Sequence, residues 1–143
     1  MKQVNINAEI RKTDFRGQLQ FKLLLNQNVG TELCMALMLL KEGLVNVIGL
    51  KFLNYRFILK ISRDNYSYSE SEVFRSEVIK GKVSVGNIDY ILQYVLKFYR
   101  DGYAEAEHID IDFLNDGGKG YTFTISCVDY SEYSSEEIKR MLD

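Results

Sequence analysis

Residues 109–127 read IDIDFLNDGGKGYTFTISC, and this stretch decides the fold. Ile109, Ile111 and Phe113 alternate with Asp110 and Asp112, and Tyr121, Phe123, Ile125 and Cys127 alternate with Thr122, Thr124 and Ser126. A period of two puts all the apolar side chains of each run on one face, so both runs are half-buried strands. Between them, residues 115–120 hold three glycines, an Asn and an Asp, the composition of a turn. The segment is an antiparallel hairpin with one apolar face, and that face requires a covering layer.

The cover lies just upstream. Ile88, Ile91, Leu92, Val95 and Tyr99 recur at helical spacing, and Tyr90, Tyr94 and Phe98 widen the apolar arc. Asn87 is the expected cap and Gly102 the expected stop. A second helix is expected over residues 33–40, LCMALMLL, capped by Thr31 and ended by Lys41 and Gly43. This run is apolar on every side, which predicts burial on more than one side.

The remaining segments read as strands. Val4, Ile6, Ala8 and Ile10 alternate with polar residues, as do Leu19, Phe21, Leu23 and Leu25, and residues 14–17 supply a turn, so an N-terminal hairpin is expected. Residues 45–54 and 55–62 read as two further strands. Residues 72–85 are ambiguous: Ser69 and Glu72 resemble a capping box, but the Val and Ile content favours a short hairpin. Ser134 and Glu137 predict a short terminal helix over residues 135–142. The expected fold class is therefore α+β, one domain over residues 1–143, with a mainly antiparallel sheet and two main helices.

The two helices are followed by similar text. Lys41-Glu42-Gly43 leads to Phe52-Leu53-Asn54 and Tyr55-Arg56-Phe57, whereas Arg100-Asp101-Gly102 leads to Phe113-Leu114-Asn115 and Tyr121-Thr122-Phe123. This echo suggests two degenerate α-β-β units, an internal pseudo-repeat over residues 31–62 and 88–126.

Composition limits the chemistry. Of 143 residues, 46% are hydrophobic and 27% charged, which is the composition of a globular domain. The longest apolar run has eight residues, far below the roughly 18–20 of a membrane-spanning helix, so no membrane association is expected. The N-terminus lacks the apolar core of a signal peptide, and the two cysteines, Cys34 and Cys127, suit a reducing compartment, so a cytoplasmic location is expected. A single histidine excludes a histidine pair and zinc sites built on several Cys and His. The net charge of −2 conceals a division: residues 1–100 carry 15 Lys/Arg against 9 Asp/Glu, and residues 101–143 carry 3 against 11. Such a split can steer a charged partner or make two copies self-complementary.

Three constellations remain as candidates. His108, Asp110 and Asp112 share one strand face and are the only catalytic or metal candidates, suited to Mg²⁺ or Mn²⁺ in a phosphodiester hydrolase. A half-exposed strand requires the same alternation without any chemistry. Tyr55, Arg56, Lys60, Tyr66 and Tyr68, with Lys51 and Arg63, form a candidate basic aromatic binding patch, and nucleic acid is its possible ligand. Residues 117–120, GGKG, lack the Ser/Thr and the following helix of a phosphate loop. No cofactor is expected. With no convincing catalytic set and many tyrosines, the leading expectation is a non-enzymatic protein-binding or inhibitor module. Small acidic bacterial immunity proteins and anti-defence proteins of phages or mobile elements share this profile of size and composition. The apolar helices further predict a homodimer.

Overall fold

The computed structural model describes residues 3–15, 18–51, 57–63, 77–102, 107–114 and 120–127. In chain order the elements are β1 (Gln3–Asn7), β2 (Glu9–Phe15), β3 (Gln18–Leu25), α1 (Gln27–Lys41), β4 (Val47–Lys51), β5 (Phe57–Arg63), β6 (Glu77–Val83), α2 (Val85–Asp101), β7 (Ile109–Leu114) and β8 (Gly120–Cys127). This is the expected α+β class with two main helices. The eight strands form one mixed sheet in the order β1-β4-β5-β6-β7-β8-β3-β2. Within it, β2–β3, β4–β5, β6–β7 and β7–β8 pair antiparallel, and β1–β4, β5–β6 and β3–β8 pair parallel.

The two ends of that order, β1 and β2, are separated in the chain by Ala8 alone. The N-terminal segment therefore pairs with β4 through its first half and with β3 through its second, and the strand order closes on itself. The Ala8 N–H donates to the Lys51 carbonyl (3.0 Å), carrying the β4 pairing to the point where β2 begins. The expected N-terminal hairpin is present as β2–β3, but the half holding Val4 and Ile6 is committed to β4.

The described elements follow one plan twice. β3 leads to α1 and the antiparallel pair β4–β5, and β6 leads to α2 and the antiparallel pair β7–β8. The first strand of each set pairs parallel with the last strand of the other, β3 with β8 and β6 with β5. Of the Phe-Leu-Asn echo, Phe52, Leu53, Asn54, Tyr55, Arg56 and Asn115 lie outside the described residues, as does the expected terminal helix over 135–142.

One face of the sheet is apolar and forms the core with the helices. Its cross-strand rows run Ile6–Leu50–Leu59–Ile79 on one side and Ile10–Leu23–Ile125–Ile109 on the other. All eight of these side chains are buried. Phe113 sits at the centre, against Phe21, Tyr121 and Phe123 with ring centroids 6.2, 5.6 and 5.4 Å away. Gly81 makes room for it: a Cβ there would lie 2.0 Å from Phe113 Cε2. Gly81 thus lies inside β6, and residues 77–83 of the ambiguous segment form one strand pairing parallel with β5, not a hairpin.

Both helices begin earlier than the sequence suggests. The N-cap of α1 is Asn26, whose side chain accepts from the Val29 N–H (2.8 Å); Thr31 lies within the helix, its hydroxyl donating to the Gln27 carbonyl (2.8 Å). Gly30, a poor helix former, obscures this start. It is accommodated because the Tyr99 ring packs where its Cβ would be, 2.5 Å from Tyr99 Cε2. The N-cap of α2 is Ser84, which accepts from the Asn87 N–H (3.1 Å). The C-terminal signals act as expected: Gly43 and Gly102 adopt φ of 77° and 79°, the left-handed region where glycine carries no Cβ penalty.

The Gly30–Tyr99 approach and the Lys41–Asp89 ion pair (2.8 Å) tie opposite ends of the two helices, so they run antiparallel. The helix apolar on all sides is not covered on all sides. Leu33, Cys34, Ala36, Leu37 and Leu40 are buried, but Met35 and Met38 are 63% and 55% exposed. The sheet and α2 cover only the arc that faces them.

Candidate functional site

Along β8 the second face of the sheet is polar, and among the described residues it forms a concavity there. Thr122, Thr124 and Ser126 alternate with the buried Tyr121, Phe123, Ile125 and Cys127, so their hydroxyls occupy the opposite face. Their neighbours are longer. Gln20 and Lys22 stand on β3, in register with Thr122 and Thr124. Asp112 and Asp110 stand on β7, opposite the same two threonines. Short side chains between long ones make a trough of about 400 Å³, lined by Gln20, Lys22, Leu24, His108, Asp110 and the three hydroxyls.

The β7 bank is held in place. Thr124 Oγ1 donates to Asp110 Oδ1 (2.5 Å), and His108 Nε2 lies 3.6 Å from Asp110 Oδ2. From α2, the Tyr94 hydroxyl donates to the Glu107 carbonyl (3.1 Å) and the Asn87 side-chain amide to the Asp112 carbonyl (3.0 Å). The helix thereby fixes both the entry and the far end of the strand.

His108 and Asp110 thus come together as neighbours, each about half exposed, with Asp112 exposed further along the same face. Among the described residues, no group of three or more His, Cys, Asp or Glu side chains converges as a metal site would require. Asp110→Asn combined with Asp112→Asn is expected to change unfolding free energy by no more than about 0.5 kcal/mol, the usual range for exposed positions. Urea unfolding checks this, and calorimetry with Mg²⁺ and Mn²⁺ is expected to show no tight saturable binding that the double substitution removes.

The basic aromatic patch is only partly described. Tyr55, Arg56, Tyr66 and Tyr68 lie outside the described residues. Lys60 is 1% exposed, so its ammonium does not stand on an open surface. Arg63 donates to the Lys41 carbonyl (3.0 Å) at the C-terminal end of α1, where a cation satisfies an orphan acceptor. Lys60 and Arg63 are three residues apart on one strand and so face opposite ways.

Lys22, Gln20, Thr122, Thr124 and Ser126 were not legible as site residues. Their alternation shows that they share the polar face of their own strands. Only the parallel β3–β8 pairing, between segments about a hundred residues apart in the chain, puts them side by side.

A second surface lies on the outer side of the helices. The antiparallel packing brings the middle of α1, with Met35 and Met38, level with the middle of α2, where Leu96 is 54% exposed. No helix among the described residues is long and apolar enough to cross a membrane. No protein-family model matches the chain, and no curated protein matches it significantly.

Proposed function

We propose that this chain is a non-enzymatic protein-binding module that acts by occluding its partner, as immunity and anti-defence inhibitors do. The observation that carries this reading is the exposure of Met35, Met38 and Leu96 on the outer side of the helical pair. Burying a Leu or Met side chain contributes roughly 1.5–3 kcal/mol, so three exposed ones on one helical pair can contribute substantially to association. Methionine is favoured at interfaces and adapts its shape to the partner.

The test is affinity capture from the source cells, comparing the wild type with a Met35→Glu, Met38→Glu, Leu96→Glu variant. The expected result is one stoichiometric protein partner whose affinity falls at least ~30-fold in the variant, as for a hot spot of about 2 kcal/mol. A partner retained equally by both, or no stoichiometric partner, would sink the proposal. The same patch suits self-association. Sedimentation equilibrium separates the two occupants, since a mass near 16.6 kDa leaves the surface to a different protein.

A further inference from the structure

We propose that the trough along β8 binds a compact zwitterion, a small molecule with an ammonium and a carboxylate such as a free amino acid. The site is independent of the helical surface, on the opposite face of the sheet.

The reasoning starts from the row Lys22–Thr124–Asp110, which crosses three neighbouring strands in register. Strands are ~4.8 Å apart, so the Lys22 and Asp110 backbones stand roughly 10 Å apart with the short Thr124 between them. Lys22 forms no ion pair among the described residues, and the partners of Asp110 are Thr124 and His108 on its own bank. A cation and an anion therefore border one cavity of about 400 Å³ without neutralising each other.

The lining excludes the simpler ligands. An apolar molecule would strip water from Thr122, Thr124, Ser126 and Gln20 without replacing its hydrogen bonds. A simple anion would meet the Asp110 carboxylate, and a simple cation the Lys22 ammonium. A zwitterion satisfies both banks, its carboxylate toward Lys22 and Gln20 and its ammonium toward Asp110. The Thr122 and Ser126 hydroxyls can each donate or accept and so serve either end, whereas Thr124, whose proton is held by Asp110, offers its oxygen as an acceptor to the ammonium.

The test is an amide chemical-shift titration of the full ¹⁵N-labelled chain with glycine and with γ-aminobutyrate, the latter carrying its charges further apart. Acetate and methylammonium are the single-charge controls. The expected result is saturable shifts at Lys22, Thr122, Thr124 and Ser126 with at least one zwitterion, at concentrations where neither control saturates. Lys22→Met and Asp110→Asn are each expected to weaken binding roughly tenfold, the loss of one charge-assisted contact, with the remaining spectrum unchanged. If Lys22→Met perturbs the spectrum broadly, Lys22→Gln replaces it. Equal binding of acetate would make this an anion site, and equal binding of methylammonium a cation site; either overturns the proposal. So does the absence of saturable shifts in the trough with both zwitterions.

Discussion

Phe113→Ala is expected to cost roughly 3–5 kcal/mol of stability, the range for truncating a buried aromatic. That is a large fraction of the 5–15 kcal/mol that holds a typical domain together. The side chain is 2% exposed and touches three aromatic rings, and it joins the β7–β8 hairpin to β3 across the core. The added methyl of Gly81→Ala would overlap the same ring from the other side, with a Cβ only 2.0 Å from Phe113 Cε2. Overpacking of this kind costs typically about 1–3 kcal/mol. The two substitutions share one contact, so they are expected not to add: in the Phe113→Ala background the alanine at 81 removes part of a cavity instead of creating a clash. Urea unfolding of the two single variants and the double variant measures the coupling. Strict additivity would mean that Phe113 does not occupy the space above Gly81.

The second large effect is a loss of stability in alkali that belongs to the two thiols. Burial pushes the Cys34 thiol up to about 11 and the Cys127 thiol up to about 12, from an ordinary value of 9.0. Cys127 also has a hydrogen bond from Tyr99, which opposes the shift without cancelling it. Below the ordinary value, both groups are protonated in the folded and the unfolded chain, and pH has no leverage through them. Above it, the unfolded chain releases protons that the folded chain retains, so stability falls as pH rises toward the folded values. Each thiol then contributes a loss of about 1.4 kcal/mol per pH unit. Burial raises the Tyr94 phenol as well, which acts in the same direction at still higher pH. The measurement is unfolding free energy between pH 8 and 10.5 for the wild type and for Cys34→Ala with Cys127→Ala. The substituted chain is expected to be less stable at pH 8, through lost packing, and to have a shallower alkaline slope. Identical slopes would refute burial as the origin of the effect. Slow labelling of both thiols by a thiol reagent under native conditions is the companion expectation, since the reactive thiolate is scarce when the thiol titrates so high.

The candidate site divides along the same line as the fold. The face shared by His108, Asp110 and Asp112 was legible because strand alternation is a property of the backbone, and Ile109, Ile111 and Phe113 identify the buried side. Lys22 was not legible as their counterpart, because nothing in residues 18–25 refers to residues 120–127. The outer face of α1 misled for a related reason. Eight consecutive apolar residues carry no mark of which two, Met35 and Met38, the sheet and α2 leave uncovered.

What the sequence by itself determined is local. Alternation marked residues 4–10, which hold β1 and the start of β2, and the strands β3, β7 and β8; a run of strong helix formers located α1, helical spacing located α2, and Gly43 and Gly102 stopped both helices, because each signal acts within a few residues of backbone. Hairpin contacts such as β7–β8 belong to the same class, since a short turn leaves two adjacent strands little choice of partner. Tertiary structure alone decided the rest. Parallel partners must come from distant segments, and β3–β8 and β5–β6 are such pairs. Only the assembled sheet splits the N-terminal strand at Ala8 between β4 and β3, and only it opens Gly81 to Phe113. The physical reason is that a strand carries the same hydrogen-bonding groups along both edges whatever its neighbours. Which edge meets which is therefore settled by burial of the whole apolar face at once, a quantity that no single segment contains.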